Sequence, residues 1–181
     1  PDNALFARQS PRRLTAEELR DAALAASGEL VLERFGPSVF PPPPAAVLAT
    51  ASRPDAAWGT STPEGSARRS LYVHVKRTLR VPLLAAFDQP DPDLPCPERF
   101  PTNVPTQALL TLNGEFMRAR AAAFAASLIA STESVDARVV QAVRRALGRS
   151  ATADELERAR ALLSALESDH GASPARALEL W

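Results

Sequence analysis

Residues 68–91, RRSLYVHVKRTLRVPLLAAFDQPD, decide the fold class of this chain. Leu71, Tyr72, Val75 and Leu79 recur at helical spacing, yet Tyr72, Val73, Val75 and Thr78 are good strand formers, so period alone does not choose. Ser70 stands where an N-cap would, and basic residues crowd the far end, where they suit a helix dipole. A helix is therefore expected over about 70–79. Pro82 can open a second short helix through Leu83, Leu84 and Phe87, after which Pro90, Pro92, Pro95, Pro97 and Pro101 enforce a loop.

Toward the N-terminus, Thr15 and Glu18 stand at capping-box spacing, Leu19, Ala22, Ala23 and Ala26 follow at helical period, and Gly28 supplies a stop. This predicts a helix over 15–27. Residues 36–67 carry four consecutive prolines at 41–44 and no sustained period. They read as a surface excursion, its proline run a stiff spacer rather than an adaptor ligand, tacked to the core by Val39, Phe40, Val47, Leu48 and Trp58.

Toward the C-terminus the chain is plainly helical. Thr106 is expected to cap a short helix (QALLTL) and Asn113 a longer one with Met117, Ala121, Phe124 and Leu128 on one face. Ser134 begins a helix with Val139, Val143, Ala146 and Leu147 inward, ending at Gly148, and Thr152 with Glu155 repeats the capping box before Leu156, Ala159, Leu163 and Leu166. Residues 134–168 thus form an αα-hairpin. The expected fold is all-α and irregular: five to seven helices, long proline-rich loops and at most a short strand pair. Residues 1–181 read as one domain or a domain fragment.

Composition narrows the function classes. With 181 residues and 45% hydrophobic content the chain can bury one good core, and 21 basic against 21 acidic residues leave no footprint for nucleic acid or an anionic membrane surface. The second hairpin helix mixes Asp154, Glu155, Glu157 and Glu167 with Arg158 and Arg160, which argues against a DNA-reading role. No apolar run approaches a membrane span. The chain opens on Pro1, Asp2 and Asn3 and stops at Leu180 and Trp181 in an apolar stretch, so it reads as cut from something longer.

Few residues carry chemistry. Cys96 is the single cysteine, so an intrachain disulfide, a CxxCH haem attachment and a CxxC knuckle are all ruled out. It reads as a quiet thiol. His74 and His170 have no second ligand at metal spacing, and no GxSxG element is present. Arg68 and Arg69 precede the expected helix start, where positive charge opposes the dipole, so compensating carboxylates are expected and Asp88 and Asp91 are the candidates. Such pairs would clamp two elements together. The competing reading gathers Arg68, Arg69 and Arg77 around a sulfate, phosphate or sugar acid. Tyr72 is expected in the core with its hydroxyl bonded, and Asn103, Gln107 and Asn113 as loop pins and caps.

Five blocks in order, RRLTAEELRDAALAASGEL, GPSV, RRSLYVHVKRTLRVPLLAAFDQPD, PTNVPTQALLTLN and AVRRALGRSATADELERA, make the chain from about Pro11 onward resemble the C-terminal part of the planctomycete PSD-one domain, a bacterial domain of unknown function. The arginine pair before Ser70, Leu71 and Tyr72, the FDxPD element at Phe87, Asp88, Pro90 and Asp91, and Thr102, Asn103, Pro105, Gln107, Ala108 and Leu109 carry the match, with Leu112 and Asn113 at its leucine-asparagine ending. The excursion at 36–67 is shorter and richer in proline than the pattern. The resemblance supplies no catalytic residues. It implies a large exported parent protein, often with a c-type cytochrome domain, and hence an extracytoplasmic location, with any haem elsewhere in the parent. The expected function is a non-catalytic interaction or scaffold module whose partners are other domains of the parent. The alternative is part of an enzyme acting on extracellular polysaccharide, sulfated or not, through the Arg/Asp loop. No nucleic acid, metal or membrane insertion is expected.

Overall fold

Thr15 starts the first helix as predicted: its hydroxyl accepts from the Glu18 amide and the Glu18 carboxylate accepts from the Thr15 amide, which satisfies two orphan donors of α1 (Ala16–Ser27). Gly28 closes it in the left-handed conformation. The buried face differs from the expected one. Ala16, Arg20, Leu24 and Ser27 point inward, whereas Ala22 is exposed.

The computed structural model describes residues 5–7, 9, 12–53, 56–132 and 134–181. Among these the chain is all-α, with nine helices and no sheet. After α1 come two single turns within the excursion, α2 (Ala45–Leu48) and α3 (Pro63–Ser66), then α4 (Pro82–Ala86), α5 (Pro105–Asn113), α6 (Glu115–Ser131), α7 (Val135–Leu147), α8 (Ala153–Ser168) and α9 (Pro174–Leu180). The count exceeds the expected five to seven because α2, α3 and α9 were not anticipated.

The helix expected over 70–79 does not form. Only a 3-10 turn at Ser70–Tyr72 exists; beyond it the chain is extended at Val73, which bridges to Val39, and then makes a tight turn closed by the Lys76–Leu79 bridge. The β-branched residues Val73, Val75 and Thr78 prevail over the helical spacing. Leu71 and Val75, expected in a seam, are exposed, while Val73 and Leu79 are buried. Ser70 spends its polar atoms elsewhere, as described below.

Two smaller boundary corrections have simple causes. Pro105 occupies the first position of α5, so Val104 and not Thr106 precedes the helix. Asn113 ends α5 and Gly114, not Asn113, is the cap residue before α6; a Cβ at Gly114 would lie 2.4 Å from the Leu110 carbonyl oxygen. Only glycine permits that junction.

The predicted hairpin is present as α7 and α8, with Ser134 and Thr152 capping them and Gly148 between. Val139 and Val143 are buried as expected, but Ala146 and Leu147 face outward and Ala142 takes the inner position. Helices α6 and α9 complete a four-helix layer around Ala125, Leu128, Val139, Ala159, Leu163 and Ala177. A second apolar cluster, Ala16, Val39, Val73 and Leu84, gathers α1, the excursion and the extended segment. Helix α1 packs on α4, α6 and α7 and so joins the two.

The excursion is tacked down as expected. Pro41 and Pro43 are buried, and the Trp58 indole donates to the Pro41 carbonyl at 2.9 Å, a contact that closes the excursion on itself. Phe40 stacks on His74, ring centres 4.8 Å apart, with Trp58 edge-on.

Candidate functional site

The residues singled out from the sequence are best followed outward from α1. Arg20 lies one helical turn from Ala16 and from Leu24, on the buried face, and is 2% exposed. Its guanidinium donates to the Arg68 carbonyl at 3.0 Å, to the Ser70 hydroxyl at 3.1 Å and to the Ser66 carbonyl. Burial pulls its pKa down to about 10, opposed by Asp21 at 3.8 Å, so it remains charged at neutral pH. Asp21 in turn accepts from the Ser70 amide and hydroxyl, both at 2.7 Å. Helix α1 thereby supplies the polar partners that the turn at 66–70 lacks by itself.

Arg68 repeats the device one step further out. Its side chain is buried, stacks on the Tyr72 ring 4.1 Å from the centroid, and donates to the carbonyls of Glu33, Phe35 and Pro37. The Tyr72 hydroxyl is bonded, accepting from the Phe35 amide at 2.8 Å, but the residue is half-buried at the edge of the core and not within it. The turn at 33–37, which runs into the GPSV block at 36–39, is thus held by the RRSLY block.

The carboxylate partners differ from those expected. Glu33 lies 3.8 Å from Arg68 and Asp21 lies 3.6 Å from Arg69; no ion pair joins either arginine to Asp88 or Asp91 among the described residues. The extended backbone after Tyr72 turns the 73–91 segment away from the helical course that would have brought those aspartates back. Arg77, exposed, pairs with Asp93. Arg68, Arg69 and Arg77 therefore do not converge on one anion.

Asp88 has a different task. Its carboxylate accepts from the Thr102 amide at 2.8 Å and the Thr102 hydroxyl at 2.7 Å, with Arg13 at 3.9 Å. Burial works against its ionisation, but the bonds from Thr102 outweigh this and hold the carboxyl below its usual range. Gln107, 4% exposed, donates to Thr102 Oγ1 and to the Ala86 carbonyl and accepts from the Val104 amide. The FDxPD and TNxPxQAL elements are therefore two halves of one clasp that closes the loop 88–102. Asp91 accepts only from the Asp93 amide, and Asn103 and Asn113 are exposed without side-chain hydrogen bonds among the described residues. The expected pinning holds for Gln107 and not for the two asparagines.

Cys96 is exposed, its thiol 3.2 Å from the Glu98 carbonyl oxygen. Among the described residues no group of three His, Cys, Asp or Glu side chains could hold a metal ion, and no helix is long and apolar enough to cross a membrane.

A sizeable concavity lies elsewhere. At one end of the four-helix layer a groove of about 510 Å³ opens between α6, α7, α8 and α9, with Phe124, Leu128 and Val143 on its floor and Leu162 and Trp181 at its mouth. Its volume falls in the range of ligand and partner sites. Alanines 121, 125, 142, 146 and 159 line it, and the space exists because larger side chains are missing there. Sequence reasoning missed both Arg20 and the groove. The 16, 20, 24 spacing on α1 was a usable signal for the first, and the alternation of alanines across three helices for the second.

The model of the family PSD1, protein of unknown function (DUF1553), matches residues 1–163. No curated protein and no solved structure matches the chain. The chain belongs to the PSD1 family.

Proposed function

We propose that this PSD1-family chain is a non-catalytic interaction module, braced internally by its motif residues and meeting its partner through the apolar groove. The observation that supports this most is where the motif side chains are spent. Arg68 and Tyr72 bond to the turn at 33–37, and Asp88, Thr102 and Gln107 bond to one another's segments. A catalytic constellation instead keeps ionisable groups free and convergent in a cleft. The concavity available is apolar, as partner surfaces are at their centres. The exported, cytochrome-associated parent and the extracytoplasmic location are carried into this proposal by the family resemblance alone.

The competing reading, an enzyme acting on sulfated extracellular polysaccharide through Arg68, Arg69, Arg77, Asp88 and Asp91, is less well supported, since these residues sit in separate contacts. Two measurements separate the readings. Anilinonaphthalene sulfonate should fluoresce with the folded native chain and lose that signal in the groove-filling variant Ala146→Trp. Incubation of the parent protein with sulfated glycans should release neither sulfate nor reducing ends. Turnover abolished by a folded Arg69→Ala variant would establish the enzyme instead.

A further inference from the structure

We infer that the groove between α6, α7, α8 and α9 binds an uncharged, hydrocarbon-rich small molecule; this rests on the interaction-module reading and names the class of its partner. The lining is closed to ions. Its charged side chains, Glu155, Arg158 and Glu179, each already have an opposite charge in their own chain, Arg149, Asp154 and Arg176 in turn. Arg145 is no part of the lining. Its guanidinium is spent on the Phe124 ring, 4.9 Å from the centre, and on the Ser127 hydroxyl. A charged group entering the groove would therefore give up water without gaining a counter-charge.

Neutral polar ligands fare no better. Apart from the Trp181 indole at the mouth, no hydroxyl, amide or imidazole side chain lines the groove. A sugar, a nucleoside or an extended peptide would leave its own donors and acceptors unpaired there.

What the lining offers is apolar surface and room. The volume of about 510 Å³ suits a small molecule, and the space between helices of a bundle is a common place for one. The alanines at 121, 125, 142, 146 and 159 matter twice. They leave the space open, and they have no rotamers to lose when it is filled, so ordering the walls around a ligand costs little. An alkyl chain gains from every methylene it buries and brings no polar group that the lining fails to match.

Displacement of N-phenyl-1-naphthylamine, an uncharged dye that fluoresces in apolar surroundings, tests this on the full chain. Dodecanol should displace the dye, whereas laurate and dodecylammonium, the same chain with a charged head, should each need at least about tenfold more. Ala146→Trp should abolish dye binding with the helical circular dichroism retained; Ala121→Phe takes this role if Ala146→Trp does not fold. Laurate as effective as dodecanol would mean that Arg158 or Arg145 is available after all, and dodecylammonium as effective would mean the same of Glu155 or Glu179. Either result overturns the exclusion of charge. Dye that stays bound in saturating dodecanol overturns the small-molecule occupant, and dye bound equally by a folded filling variant overturns the groove as the site. Under each of these results, uptake of anilinonaphthalene sulfonate that Ala146→Trp removes leaves the interaction module standing. A native chain that takes up neither dye overturns both readings.

Discussion

The guanidinium of Arg20 donates to the backbone carbonyl of Arg68 at 3.0 Å, and the side chain of Arg68 then reaches on to three further carbonyls at 33, 35 and 37. Two buried cations in series hold backbone that no sheet or helix satisfies. An irregular segment cannot be buried with its carbonyls unpaired, and a guanidinium with five donors suits that task better than any other side chain. This gives Arg20 and Arg68 a structural task within the fold.

The clasp between Asp88 and Thr102 should be separable from that brace. Asp88→Ala removes two hydrogen bonds to a carboxylate and strains a residue at φ +66°, and is expected to cost about 2 kcal/mol. Gln107→Ala should cost a similar amount, and the double variant less than the sum, because both act on Thr102. Urea unfolding of the three variants checks this; strict additivity would show that the two motif elements are independent.

Gly59 marks where the excursion closes over its own Phe40, the ring that docks it on the body. A Cβ there would lie 2.6 Å from the ring of Phe40, which is itself stacked on His74. Gly59→Ala is expected to displace the ring and destabilise by roughly 1–3 kcal/mol, with a change in Trp58 fluorescence. An unchanged emission spectrum and midpoint would mean that the excursion is not docked.

Acid should weaken the helix starts. Glu18 and Glu155 each cap a helix and are held by Arg12 and Arg149, which with the capping bonds lowers both carboxyls to about 2 from 4.5. A depressed folded-state pKa gives stability that is complete above about 4.5 and is lost as pH falls toward 2. The double variant Glu18→Gln, Glu155→Gln should therefore show a shallower loss of stability across that window in urea titrations at stepped pH. An equally steep decline would locate the acid sensitivity elsewhere, in Glu17, Asp88 or Asp136.

Much of this was legible in the sequence, and unevenly so. Capping boxes at Thr15 and Thr152 and glycine stops at Gly28 and Gly148 are local chemistry, and the helices they bound form where expected. The segment after Ser70 was not legible, since its helical spacing and its strand-forming residues conflict and long-range contacts with Val39 decide between them. Partner choice was illegible for the same reason. Arg68 and Asp88 are close in sequence, whereas Arg20 and Glu33, the residues that Arg68 meets, come from two earlier segments. The groove depends on how four helices meet, which no single window of sequence contains.

The most direct test of the bracing role is equilibrium urea unfolding of Arg68→Met beside Arg69→Ala. Arg68→Met leaves the carbonyls of Glu33, Phe35 and Pro37 without their donor and should cost roughly 2–5 kcal/mol. Arg69, exposed and 3.6 Å from Asp21, should cost less than about 1 kcal/mol. An Arg68→Met chain that unfolds at the native midpoint would contradict the account, because a guanidinium that holds nothing together is available to a ligand.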